Sequence, residues 1–179
     1  MTHSPLIRGY RPGDIGHITA LHGKYYAEHW GLGPVFEAEV AVELAEFVLT
    51  LVENPNNRLW VAEMEGEILG SIAIAQMPDN PEIARVRWVI LSPNAQGKGL
   101  GRQLVNTALD FCRTQPYQTV TLWTFKGLTA ARRLYDEAGF ELVESYEDTH
   151  WGKPFLYQKF MLSLVEKANS QPTKLQATY

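Results

Sequence analysis

The chain reads as one α/β (α+β) domain, a sandwich of helices on a mixed sheet. Short β-branched and aromatic runs recur along its 179 residues, and some follow one another directly, as hairpins do. Others are separated by helix-periodic segments, the pattern of a strand–helix–strand crossover. Hairpins beside crossovers exclude a regular doubly wound sheet, and the length suits one core rather than two.

Each element has its own local reason. Leu6–Tyr10 is a short strand ended by Arg11-Pro12-Gly13, and Asp14 suits the start of a helix running to Trp30. From Phe36 to Val52, Phe36, Val40, Leu44, Phe47, Val48 and Leu51 share one face at helical spacing, with glutamates elsewhere. Arg58–Ala75 is a hairpin turning around Glu65-Gly66, and Ile83–Leu91 is a fourth strand. Gly99–Cys112 follows as a helix, Thr119–Phe125 as a fifth strand, and Thr129–Gly139 as a short helix stopped by its glycine. Phe140–Tyr146 and Phe155–Leu164 close the pattern as two strands. The domain therefore spans residues 1–165, and the polar, aperiodic segment 166–179 is expected to fray.

Composition excludes several functions. Apolar residues make up 45% and charged residues 20% of the chain, as in ordinary soluble domains. A net charge of −4 gives a nucleic-acid partner no electrostatic support, so none is expected. The single cysteine, Cys112, excludes an internal disulfide and falls on the apolar side of its helix with Leu104, Ala108 and Phe111, as a core residue. The opening MTHSPLIRGYRPGD lacks the basic-then-apolar pattern of a leader, and no apolar run nears the ~18 residues a membrane span needs. A cytoplasmic protein with no membrane partner is the expectation. His3, His17, His22, His29 and His150 show no zinc spacing, so no metal is expected either.

The most informative stretch is Gln96-Gly97-Lys98-Gly99-Leu100-Gly101-Arg102, where the fourth strand hands over to a helix. The first N–H groups of a helix lack internal partners and sit at the positive end of its dipole, so this junction suits an anion. Two familiar phosphate patterns fail on spacing. The P-loop needs Ser or Thr after Gly-Lys, where this chain has Gly99, and a dinucleotide fingerprint needs a third glycine that Leu100-Gly101-Arg102 does not supply.

Gln96-x-x-Gly99-x-Gly101, after a strand ending VILSP, resembles the pyrophosphate loop of the GNAT superfamily of N-acetyltransferases. Further along, AARRLYDEAGFEL resembles the family's Ala-x-x-Leu-Tyr-x-x-x-Gly-Phe signature, with Leu134, Tyr135, Gly139 and Phe140 in place. The likeness covers Leu6 to Leu164. It is strongest to acetyltransferase domains fused behind bacterial winged-helix regulators, which share segments similar to HGKYYAEHWG and LWTFKGLTAARRLYDEAGF. No winged-helix segment is read here, so no DNA-binding role is inherited. The family's fold is a mixed, mostly antiparallel sheet of about seven strands, splayed between strands 4 and 5 and flanked by about four helices. One departure stands out: many relatives carry asparagine where this chain has Leu128, which leaves the corresponding polar contact to Thr129 or to nothing.

The resemblance implies acetyl-CoA as acyl donor and a primary amine on a small molecule, amino acid or peptide as acceptor, with direct attack in a ternary complex. Backbone N–H groups of Gly97, Lys98, Gly99, Leu100, Gly101 and Arg102 would take the pyrophosphate, with Lys98 and Arg102 adding charge and Gln96 counted among the cofactor-binding residues. Val89 and Leu91 are the backbone contacts for the pantetheine arm, and Ile90 or Leu91 the oxyanion donor. Thr129 and Ala131 fall at the start of the signature helix. Arg133 is either a solvated side chain or a hold on the adenosine phosphate. Tyr135 stands where the family places a tyrosine beside the thioester sulfur, as the acid for the departing thiolate; plain packing is the alternative. Glu28 is the expected base, with His150 and Glu82 as rivals and a water chain as a further route, while Tyr26 and Trp30 line the acceptor mouth. A homodimer is expected from the family. The competing readings are a non-catalytic acyl-CoA sensor and a plain interaction domain.

Overall fold

The periodicity read above is realised element by element in the computed structural model, which describes residues 4–165. The order is β1 (Leu6–Gly9), α1 (Asp14–Trp30), α2 (Pro34–Thr50), β2 (Arg58–Met64), β3 (Glu67–Met77), β4 (Asn80–Leu91), α3 (Leu100–Thr114), β5 (Thr119–Phe125), α4 (Thr129–Glu137), β6 (Glu141–Asp148) and β7 (Phe155–Ser163). The segment expected to fray, 166–179, and His3 lie outside the described residues.

All seven strands form one sheet in the order β1-β2-β3-β4-β5-β7-β6. Every pair is antiparallel except β4–β5, which the α3 crossover makes parallel. Glu65 and Gly66, both at positive φ (52° and 83°), turn β2 into β3 where the sequence places the hairpin. β4 starts three residues before the expected Ile83. The prolines and Asn80 around Asp79 read as loop, yet Met77 pairs with Asn80 across a tight turn.

Each face of the sheet buries its own core. α3 and α4 cover Ile72, Ile74, Ala84, Val86, Val120 and Leu122. On the opposite face α1 and α2 pack Ile18, Phe36, Val40, Leu44 and Phe47 over Leu59, Val61 and Trp88. At ~1.5–3 kcal/mol per fully buried large aliphatic or aromatic side chain, these two layers dominate folding. Asp14 anchors α1 to the first strand: its carboxylate accepts from the Arg8 guanidinium (2.8 Å) and the Arg11 N–H (2.7 Å). Cys112 is fully buried in the first core, where burial pushes its thiol up to about 12.

Two irregularities in β4 shape the centre of the molecule. Ser71 pairs with Ile90 but Ala73 pairs with Arg87, so β4 carries one extra residue there. Trp88 takes the strain, at φ 46°. Its carbonyl accepts from Ser71 Oγ (2.7 Å, buried), and its ring packs 5.1 Å from Phe47. The bulge rephases the strand, so that Val89 and Leu91 turn to the α3–α4 side although Arg85 and Arg87 lie on the α1–α2 side. The second irregularity is the end of β4–β5 pairing. It runs from Ile83–Thr119 to Val86–Leu122 and stops, so the strands part beyond that point and the sheet opens into a V.

Candidate active site

The parting strands open a cleft of about 720 Å³ that passes from the α3–α4 face to the α1–α2 face. At its first end is the glycine loop. A short 3₁₀ turn (Pro93–Ala95) follows β4, tied back by the Ser92 N–H to the Leu69 carbonyl (2.8 Å). Gly97 and Gly99 then adopt φ 73° and 81°, a conformation that costs any side chain ~1–2 kcal/mol. The first bond inside α3 runs from the Gln103 N–H to the Gly99 carbonyl, which leaves the N–H groups of Leu100, Gly101 and Arg102 without intrahelical partners. No side chain caps them. Gly101 is glycine for closeness: a Cβ there would stand 2.8 Å from Leu134 Cδ1 and 3.1 Å from Leu91 Cδ1. Lys98 is exposed and makes no ion pair among the described residues, whereas Arg102 pairs with Glu137 at 2.7 Å.

Of the expected contacts, Val89, Ile90, Leu91, Gln96, Gly101 and Thr129 line the cleft, as do Ala131 and Tyr135. Gly97, Lys98, Gly99 and Arg102 are exposed and absent from the lining, and the Leu100 side chain is buried in the core. Arg133 points elsewhere, into a neighbouring groove beside Lys126 and Arg132. Leu128 lines the cleft as an apolar side chain, as its identity requires. Tyr135 is 5% exposed and packs 6.0 Å from Phe140 and 6.4 Å from Phe160, ring centre to ring centre. Burial alone pushes its phenol above the ordinary value, and no side chain among the described residues hydrogen-bonds to it. The hydroxyl is therefore protonated at neutral pH and available to the cleft.

The far end of the cleft lies under α1 and α2. Tyr26 and Trp30 line it as expected, and burial raises the Tyr26 phenol too. Glu28 does not. It is exposed and absent from the lining, because two residues past Tyr26 an α-helix has turned by ~200°. Glu82 is also exposed and away from the cleft, accepting from Gln118 Nε2 at 2.8 Å. His150, the remaining rival, does line it. Its Nε2 donates to Glu39 (3.0 Å), whose carboxylate also accepts from Trp151 Nε1 (2.8 Å). His22 is buried in the same wall. Its Nδ1 donates to the Ile18 carbonyl (2.8 Å), and burial lowers its pKa to about 4, so it is neutral.

Charged residues that sequence reasoning missed complete this end: Glu39 and Glu43 on α2, Arg85 and Arg87 on β4. Arg87 forms an ion pair with Glu43 and lies 4.0 Å over the Trp88 ring. Arg85 makes no ion pair among the described residues. No group of three or more metal-ligating side chains occurs among those residues.

The chain spans less than half the length of the curated N-acetylaspartate synthetases it matches. A relative matched over most of both chains is the Escherichia coli N-acetyltransferase YjgM, itself uncharacterised: 31% identity over 142 residues, 79% of this chain and 84% of the other. Among solved structures, Salmonella typhimurium yncA with its cofactor acetyl-CoA superposes with a TM-score of 0.76 at 19% identity, over 95% of this chain and 99% of the other. The spermidine N-acetyltransferase of Vibrio cholerae, in complex with CoA and spermine, gives 0.68 at 22% identity, over 89% and 95%. At those identities the structures establish the fold. Membership comes from the family model, which matches residues 18–140, more than half of the sequence and both of its glycine and tyrosine signatures: the chain belongs to the acetyltransferase (GNAT) family.

Proposed function

We propose that the chain transfers the acetyl group of acetyl-CoA to a primary amine by direct attack in a ternary complex. The observation that carries this is the cleft through the parted strands, which connects unpaired amides at one end with titratable groups at the other. In this reading the amides of Gly97–Arg102, with Lys98, hold the pyrophosphate, and the open edge of β4 at Val89–Leu91 receives the pantetheine arm. An N–H of Ile90 or Leu91 faces the carbonyl oxygen as negative charge builds there. Tyr135 keeps its proton until the thiolate departs, then supplies it. The amine's proton leaves toward His150, oriented by Glu39, rather than toward Glu28.

No helix among the described residues is long and apolar enough to cross a membrane. Cytoplasmic residence belongs to the same reading. So does a homodimer, supported by the exposed Val35, Val42 and Leu49 that recur on the outer face of α2 and tested by light scattering. The experiment for the activity is thiol release from acetyl-CoA across a panel of primary amines. Release with at least one amine supports the proposal. Acetyl-CoA binding with no release from any amine refutes it in favour of a non-catalytic acyl-CoA binder.

A further inference from the structure

Among the described residues, the acceptor end of the cleft holds one guanidinium without an ion-pair partner, with Asp148 a carboxylate in the same lining. Glu43 answers Arg87 there, and Glu39 answers His150 and Trp151. Arg85, on the central strand β4 opposite Thr121 of β5, has none of this. It sits one residue before the last β4–β5 pair, at the base of the V. Its Nε is buried without a hydrogen-bond partner, and its guanidinium carbon stands 4.5 Å over the Trp123 ring. Burial and the neighbouring Arg87 lower its pKa to about 10 against a smaller opposing pull from Glu43, so it remains a cation at pH 7 at a cost to folding.

Packing does not account for this residue. The cation–π contact with Trp123 satisfies none of the guanidinium N–H donors, and no hydrogen bond from them occurs among the described residues. Five donors in a fixed fork match a carboxylate in two parallel hydrogen bonds. Charge selects among anions. Glu39, Glu43 and Asp148 line the same end, so a single guanidinium without an ion-pair partner among the described residues suits a monoanion better than a phosphate dianion. Tyr146, Tyr157 and Trp151 supply apolar and aromatic surface beside it for the rest of a small organic molecule.

We propose that Arg85 recognises a carboxylate on the acceptor, so the amine acetylated here belongs to an amino acid or a similar amino carboxylate. This rests on the acetyl-transfer reading above, and it decides between acceptor classes that the reading leaves open.

The test compares matched acceptors with and without the carboxylate: phenylalanine against phenethylamine, lysine against cadaverine, γ-aminobutyrate against propylamine. Each is assayed by thiol release with the wild type, Arg85→Met and Arg85→Lys. The wild type is expected to favour the carboxylated member of at least one pair by 10²-fold or more in kcat/KM, since a buried donor left unpaired penalises the analogue. Arg85→Met should abolish that preference, mainly through KM, without lowering the rate on the decarboxylated member or the affinity for acetyl-CoA. Arg85→Lys should restore part of it. Equal use of both members of every pair by the wild type, or an equal loss on both in Arg85→Met, overturns the proposal.

A second measurement is independent of turnover. Calorimetric titration of the CoA-loaded protein with the same pairs should show binding of a carboxylated member that Arg85→Met removes. If no amine releases thiol, the transfer reading fails, and this titration alone decides whether Arg85 binds a carboxylate. No binding of any carboxylated member to the wild type refutes that too. Should Arg85→Met fail to fold, the wild-type preference and Arg85→Lys carry the test.

Discussion

Replacing Tyr135 by Phe separates catalysis from stability, and the structure sets both magnitudes. The phenol ring is 5% exposed, so Phe keeps its packing against Phe140 and Phe160. Its hydroxyl bonds to no side chain among the described residues, so deleting it orphans none. Folding should be unaffected or gain up to ~1 kcal/mol, and a protein of this size would melt at the same temperature or ~2–4 °C higher. Catalysis should respond in the opposite direction. Loss of a positioned general acid lowers turnover by ~10²–10⁴-fold, or ~3–5 kcal/mol of activation free energy. The assay is steady-state thiol release on an accepted amine, with acetyl-CoA affinity by calorimetry and a thermal melt on the same preparations. We expect kcat to fall by that factor while affinity changes less than ~2-fold. Turnover within 2-fold of wild type would refute the role of Tyr135, and a fall of several degrees in Tm would show that the hydroxyl is structural instead.

Other substitutions probe separate parts of the cleft. Gly99→Val forces a β-branched side chain to φ 81°, and should cost ~1–2 kcal/mol of stability while weakening acetyl-CoA binding at least tenfold, measured by calorimetry; undiminished affinity would take the loop out of the binding site. His150→Gln keeps a donor for Glu39, so the fold should persist while kcat at neutral pH drops ~10²-fold; an unchanged rate would leave the proton to water. His22 makes stability depend on pH. The unfolded imidazole takes a proton near 6.5 but the buried one only near 4, so acid favours the unfolded chain. Stability should therefore be full above pH 6.5 and decline toward pH 4, by up to ~3 kcal/mol from this group. Denaturant titrations of His22→Gln should show a shallower decline through that window than wild type, and equal slopes would contradict the assignment.

Local chemistry was legible in the sequence, and non-local pairing was not. Phe36, Val40, Leu44 and Phe47 announce the buried face of α2 because helical spacing needs no tertiary knowledge. Glu65-Gly66 and the Gly97 and Gly99 turns were equally readable, since turn chemistry lies within a few residues. By contrast, β6 pairs outside β7 with all eight residues exposed, which only the sheet order reveals. The bulge at Trp88 left no signal, as a tryptophan in a run such as VRWVIL reads simply as strand. Arg85 and Arg87 alternate with apolar residues like any half-exposed strand, and only neighbours from β5 and α2 bring them into the cleft wall, half-buried. Glu28 misled for the reverse reason: it stands next to the cleft's aromatics in sequence, while helical rotation carries it to the opposite side.

A crystal structure with acetyl-CoA bound tests the account's core. The diphosphate should rest on the amides of Gly97–Arg102, and the thioester should lie between β4 and β5 with its sulfur within hydrogen-bonding reach of the Tyr135 hydroxyl. A diphosphate bound away from that loop, or a thioester on the outer surface of the sheet, would contradict it.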